Sequence, residues 1–358
     1  MASKAILLLD DGASFEGVGV GLQGESVGEV VCFTGVVGYQ EVLTDPTYRG
    51  CIVVMTYPII GSYGVNAEDN QSPHVHPCGL VFREHSPIYS NFRATGGLLD
   101  FAAEHRLIMA EGIDTRAVTV HLRRHGEQKG LLFVGDPVPA GLSERLKKAP
   151  SPFARHLVSE VTVTKPGPVQ GDSGPLAVVL DLGVKQSLLD HLHLAGCRTQ
   201  RVPASWSAEQ ILSLKPDGVV LSNGPGDPAC LDGAVETVAG LLGKLPVFGV
   251  GLGHELLAMA LGAGCKRMPI GHHGVNLPVN VVGQARSLIT EQHHSFVVDR
   301  DTLPRDVAVT HWHLNDETVE GLACEGKRAF SVQYHPGPDE HGRPDVTITH
   351  FVKMMGAN

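Results

Sequence analysis

Short apolar runs separated by glycine, proline and asparagine turns dominate the first part of the chain: AILLLDDG, CIVVMTYPIIG, GLVFRE and KGLLFVGD. Aliphatic and β-branched residues bounded by turn formers predict strands. Residues 1–162 are therefore expected to form a β-rich domain with few helices, one of them over 98–105. Residues 163–175 (VTKPGPVQGDSGP) are poor in apolar side chains and rich in proline and glycine, the composition of an extended connection. From 176 onward the pattern changes to a regular alternation. LAVVLDLG, RTQRVP, GVVLSNG and PVFGVG read as strands, with helices between them over 185–195, 208–214 and 234–242, and HELLAMAL follows as another helix. Continuous apolar strands separated by helical patterns predict a parallel sheet covered on both faces, with its site at the carboxyl ends of the strands. The fold class expected is thus α/β: a β-rich amino-terminal domain (1–162), a linker (163–175) and a three-layer α/β domain (176–358). Residues 268–336 return to strand-like text with many histidines, and TITHFVKMM predicts a closing amphipathic helix.

Composition narrows the function classes. With 42% hydrophobic and 18% charged residues, the chain has the apolar content to offset ordering entropy, which disordered chains lack. A net charge of −10 argues against a polyanionic partner, because phosphate backbones require a concentrated basic surface. The opening MASKAILLLDDG has an apolar run cut short by Asp10 and Asp11; it fails as a signal peptide and is too short to span a bilayer, so no membrane association and a cytoplasmic location are expected. Asp10 and Asp11 are themselves read as shaping a turn. The seven cysteines form no CxxC pair, which suggests neither a disulfide framework nor a thiolate zinc site.

The candidate chemistry lies in PVFGVGLGHELLAMA. This text passes from strand to helix through GVGLG, so the backbone must turn sharply at the sheet edge and lift one residue above it. In hydrolases built on such an elbow the lifted residue is a nucleophile, held at strained dihedrals beside backbone N–H groups. Here that residue is Gly251. A dinucleotide site would also place glycines after a strand, but its fingerprint requires a glycine where His254 stands. A third possibility is that the glycines only allow a helix to pack closely on a strand.

SNGPGDP (222–228), FGVGLGHELLAMALGA (248–263), GHHGVNLPV (271–279) and FSVQYHP (330–336), together with GEVVCFTGVVGYQEVLTDPTYRG, TYPIIGSYGVN, SNFR and IDTRAVTVHLRRHG in the first half, resemble the small chain of carbamoyl phosphate synthetase over nearly the whole length. The resemblance implies a family-specific amino-terminal domain and a class I glutamine amidotransferase-like domain. It also implies a large subunit as partner, which uses ATP and magnesium to make carbamoyl phosphate for arginine or pyrimidine synthesis. No cofactor is expected in this chain, which carries no GxxxxGK[ST] phosphate loop.

In the family an elbow cysteine attacks glutamine, and a histidine and a glutamate complete the triad. Set against that pattern, the cysteine position is Gly251, the histidine is His335, and the glutamate position is Gly337. A residue without a side chain forms no thioester. The resemblance places the glutamine-pocket equivalents at Gly35, Lys185, Gly224, Gly226, Leu252, Glu255, His293, Ser295 and Phe296. Glu255 replaces the family's glutamine and His293 its asparagine, which mismatches a neutral amide substrate. His272 and His273 belong to text ordinary for the family and are read as structural. Cys230, close after NGPGDP, is the remaining thiol near this segment, and is read as a small buried hydrophobe.

Three functions are compatible with these features. One is a heterodimer partner of the large subunit that has lost glutamine hydrolysis, a scaffold or regulator for an ammonia-using synthetase. Another is a repurposed pocket acting without a large subunit, with Glu255, His293 and His335 offering ligands to zinc or another divalent ion that activates water, against the alternative that these are unrelated polar residues and that no metal is bound. The last is a binding module for a small ligand or another protein.

Overall fold

The structure, a computed structural model, describes residues 3–356. These divide into two compact units. The first runs up to Leu157 and includes Pro269–Gly274; the second holds Val158–Met268 and the chain from Val275 onward.

The β-rich first unit is a closed barrel. Its strand order is Lys4–Leu9, Ser14–Gly21, Ile108–Glu111, Gly79–Val81, Cys51–Met55, Gly24–Phe33 and Gln128–Gly135, the last pairing back on the first. Closure removes the free edges that an open sheet would expose. Inward residues of alternating strands fill it, among them Leu7, Val30, Ile52, Val54, Val81 and Leu132, all essentially inaccessible. The predicted helix at 98–105 is observed as Leu98–Glu104. Asp11 accepts from the Ala13 backbone N–H at 3.0 Å, the turn-shaping contact expected of it, and its other oxygen pairs with His121 Nε2 at 2.6 Å.

The second unit has three layers. Five parallel strands lie in the order Arg198–Pro203, Leu176–Asp181, Gly218–Leu221, Val247–Val250 and Ala329–Val332. Val319–Cys324, Ala308–His313, Gly264–Val281 and Ser287–Asp299 extend the sheet, the first three of these by antiparallel pairing. Alternation decides which residues face which layer. Val178, Leu180, Val219, Leu221 and Val247 pack with helices Ala208–Ser213, Asp232–Leu241 and Leu252–Ala260. Ala177, Val179, Val220, Phe248 and Val250 pack with Gln186–Leu194 and Val346–Gly356. No helix among the described residues is long and apolar enough to cross a membrane.

Two boundaries differ from the sequence expectation. The segment 163–175 is tied to the second unit: Gly167 N–H donates to Arg201 O at 2.9 Å, and Gln170 and Thr199 exchange backbone hydrogen bonds of 2.8 Å. Low apolar content predicts an extended path, but an extended path still needs partners for its backbone, and the strand at the edge of the sheet supplies them. The long strand Gly264–Val281 also contributes Pro269–Gly274 to the first unit. There the His273 carbonyl accepts from the Thr34 N–H at 2.9 Å and its ring packs near Tyr48, a structural role.

Candidate functional site

The strand Val247–Val250 and the helix Leu252–Ala260 are joined by the single residue Gly251, at φ 57° and ψ −117°. Its N–H donates to Val332 O at 3.0 Å, and its carbonyl accepts from the N–H groups of His254 (2.9 Å) and Glu255 (3.2 Å). The predicted elbow is therefore present. Its glycines have different reasons. A Cβ on Gly249 would lie 2.5 Å from Gly253 O, one on Gly253 2.1 Å from Leu221 O, and one on Gly224 2.2 Å from Leu182 O, so packing alone excludes side chains there. A Cβ on Gly251 would meet Asn223 Cβ at 3.4 Å and nothing closer. Space exists at the turn, and only its dihedrals favour glycine.

The loop 222–228 is held against this turn. Gly253 N–H donates to Ser222 O at 3.0 Å, Asn223 Nδ2 donates to Gly183 O at 2.9 Å, and Asn223 Oδ1 accepts from the Lys185 N–H at 3.2 Å. Gly226 takes φ +93°, and Leu252 is buried in the adjoining core.

Glu255 is buried, with Gln333 Nε2 donating to its Oε1 at 3.1 Å. Burial raises its pKa well above the ordinary carboxylate value, Asp227 adds to the rise, and the Gln333 hydrogen bond only partly opposes it. Burial thus favours the protonated form of the side chain that stands where the family has a glutamine. Glu255 joins neither His293 nor His335: among the described residues, no group of candidate metal ligands with atoms within 4.8 Å of one another contains it. The expected three-ligand set is not assembled, because Glu255 points to Gln333 on the buried side of the elbow helix.

His293 and His335 do come together, their rings 5.2 Å apart, but around a residue that the sequence reading missed. The carboxylate of Glu291 accepts from Lys185 Nζ at 2.5 Å and pairs with His293 Nε2 at 2.7 Å, both through Oε1. Glu291 O also accepts from the His335 N–H at 2.9 Å in an isolated bridge. Burial opposes ionisation of Glu291, but the Lys185 ammonium, the His293 hydrogen bond and the nearby His335 together hold its pKa well below the usual value. Alternation in ITEQHHSF was the available signal, since residues two apart on a strand share a face. By the same alternation Ser295 follows His293, and both Ser295 and Phe296 are buried. Glu291, His335 and Gly337 line a cavity of about 520 Å³, with Tyr334, Asp339 and Asp345 also in its wall. Gly337 presents no side chain to it; a Cβ there would meet only His191 Cε1, at 3.8 Å, and the His191 ring is bonded through Nδ1 to Pro336 O at 3.0 Å.

The Cys230 thiol is pushed up by burial and by the negative charges of Asp227 and Asp232, which disfavours the thiolate a nucleophile needs. Gly35 lies in the first unit, where a Cβ would come within 2.5 Å of the Phe33 ring.

Comparison with known proteins adds the following. Residues 7–132 match the family model for the carbamoyl-phosphate synthase small chain, CPSase domain, and residues 178–346 match glutamine amidotransferase class-I. The carbamoyl phosphate synthase small chain of Syntrophotalea carbinolica is 44% identical over 371 residues, covering 99% of this chain and 98% of the relative. That of Symbiobacterium thermophilum is 44% identical over 343 residues, covering 93% and 94%. A solved glutamine amidotransferase from Thermotoga maritima aligns at 20% identity with a TM-score of 0.38, covering 46% of this chain and 76% of that one.

Proposed function

The chain belongs to the carbamoyl phosphate synthase small chain family, and from that premise we propose that it is a small subunit that has lost glutamine hydrolysis and supports a large subunit using free ammonia. The observation that carries this is Gly251: the elbow keeps its strained turn, yet offers no atom to attack an amide. Gly337 supplies no carboxylate to orient His335, and Cys230 is electrostatically unsuited to stand in. The chain itself needs no cofactor under this reading; ATP and magnesium belong to the large subunit, where bicarbonate, ammonia and phosphate are joined.

In this scheme Lys185, Leu252, Glu255 and His293 are the remains of a glutamine pocket, and His335 is the remnant of its triad. They keep the local fold of the elbow rather than a reaction. Carbamoyl phosphate formation by this chain mixed with a cognate large subunit tests the proposal, with glutamine compared against ammonium chloride as nitrogen donor. Activity with ammonium alone, in a stable complex, is the expected result. Turnover of glutamine would mean that another group performs the attack, and would overturn it.

A further inference from the structure

In the first unit, the helix Thr115–His125 carries His121 and His125 one turn apart, so both imidazoles lie on one helix face. Two histidines at this spacing are the helical part of a common zinc motif. Here their rings stack, with centroids 4.5 Å apart and planes 28° apart. Asp11 reaches the same face from the turn after the strand Lys4–Leu9, 110 positions before His121, and its Oδ2 meets His121 Nε2 at 2.6 Å. Both members of that contact are held from behind. Gln128 grips Asp11 twice, its Oε1 accepting from the Asp11 N–H at 2.9 Å and its Nε2 donating to Oδ2 at 3.1 Å. Oδ1 accepts from the Ala13 N–H, and Phe15 packs edge-on against the His121 ring at 6.1 Å. Lys129 is engaged with Asp10 at 3.5 Å and with Ala149 O at 2.8 Å, which leaves the Asp11 carboxylate to His121. Burial opposes ionisation of Asp11, but the bonds from Ala13, His121 and Gln128 outweigh it and hold its pKa below the usual value.

We propose that Asp11, His121 and His125 form a binding site for one divalent transition ion such as zinc, with a fourth position left for water. Two imidazoles and one carboxylate are donors that such ions accept, and outer contacts of the kind made by Gln128 orient ligands at metal centres. The ion takes the place of the proton between His121 Nε2 and Asp11 Oδ2. Two ligand atoms each about 2 Å from a tetrahedral zinc stand roughly 3.3 Å apart, so this contact opens by roughly 0.7 Å. As they stand, the three donors do not all lie within 4.8 Å of one another. His125 is exposed, and its side chain turns toward the ion without displacing a packed core. The site goes beyond the function proposed above and does not depend on it: its residues belong to the first unit, and the ion joins a turn to a helix end.

The test is competition for zinc between the full chain and a chromophoric chelator at pH 7.5, above the ordinary histidine pKa of about 6.5, so that protons do not compete with the metal. The wild type should withdraw one zinc ion per chain that His125→Asn does not. His74→Asn, altered at an exposed histidine outside the site, should match the wild type. Asp11→Asn should weaken the site by about tenfold or more, the loss that follows removal even of outer contacts. Cobalt(II) should give the visible bands of a four-coordinate ion with the wild type, bleached by zinc and missing in His125→Asn. Because His125→Asn changes only an exposed side chain, it should fold, and circular dichroism checks that it does. Equal zinc uptake by wild type and His125→Asn, no uptake by the folded wild type, or an equal loss in His74→Asn would each overturn the proposal, as would unchanged affinity in a folded Asp11→Asn.

Discussion

At Gly251 space and dihedral angle give opposite instructions, and this separates it from its neighbours. A side chain there meets only Asn223 at 3.4 Å, but must adopt φ 57° and ψ −117°. Strain of this kind costs about 1–3 kcal/mol. At Gly249 the dihedrals pose no obstacle, but a Cβ falls 2.5 Å from a backbone oxygen of the elbow helix, which would have to shift. Gly251→Cys should therefore fold with a loss of about 1–3 kcal/mol, while Gly249→Ala should lose more, since overpacking a closed core forces backbone movement. Urea unfolding midpoints of the two variants check the order, and the reverse order would show that the elbow is not built as described. Much of this was legible in the text GVGLG: strand, sharp turn, helix, and the residue at the apex. What was not legible was which glycines packing required, because the clashes at Gly253 and Gly224 come from Leu221 and Leu182, and the room at Gly251 is bounded by Asn223, all distant in sequence. Glu291 was missed for the same reason. Its importance depends on Lys185, more than a hundred positions earlier.

Among the elements, the elbow helix and the strands beside it bury two histidines that have become neutral. His254, on the helix, is fully buried, with Nδ1 paired to Ser331 Oγ at 2.8 Å; burial, with His311 nearby, lowers its pKa to about 3. His311, on the strand Ala308–His313, is lowered by burial to about 4 and packs edge-on against Tyr334. Their unfolded pKa lies near 6.5. Because the folded values are depressed, the unfolded chain binds protons first as pH falls. The stability tied to neutral imidazole is complete above 6.5 and is lost progressively down to the folded values. A histidine lowered to about 4 corresponds to a loss of up to about 3 kcal/mol over that range. Chemical denaturation between pH 7 and pH 4 should show steeply falling stability, and His311→Gln should flatten part of the slope. A wild-type curve level over this window would contradict the burial described. At this scale the parallel alternation of the second unit could be read directly, since apolar strand runs and helical periodicity point to the same layers. Pairing partners could not. Nothing in VTKPGPVQGDSGP announces its bonds to Arg201 and Thr199, and nothing in GHHGVN announces that Pro269–Gly274 belongs with the barrel. Backbone hydrogen bonds carry no side-chain signature.

The molecule as a whole keeps two complete cores while its elbow carries no nucleophilic side chain. The barrel interior and both faces of the three-layer sheet are filled by side chains with almost no exposure, and none of that packing needs chemistry at Gly251. Under the proposed function, the large subunit is what would require this full architecture of a chain without its own glutaminase. If nitrogen then enters the synthetase from solution, the reacting species is ammonia, because the ammonium ion has no lone pair to attack with. The rate supported by a fixed total concentration of ammonium chloride should rise with pH in proportion to the free-base fraction, until groups on the large subunit become limiting. Glutamine should support no rate at any pH in the same range. An amide donor does not titrate over that range, so a working glutaminase would give a pH profile set by its own catalytic groups, distinct from the ammonia curve. Measuring carbamoyl phosphate formation with both donors across neutral to mildly alkaline pH separates the two. A profile that rises with free ammonia and a baseline with glutamine would fit a subunit whose architecture outlasted its chemistry, whereas a glutamine rate with its own pH optimum would mean that the elbow is not silent.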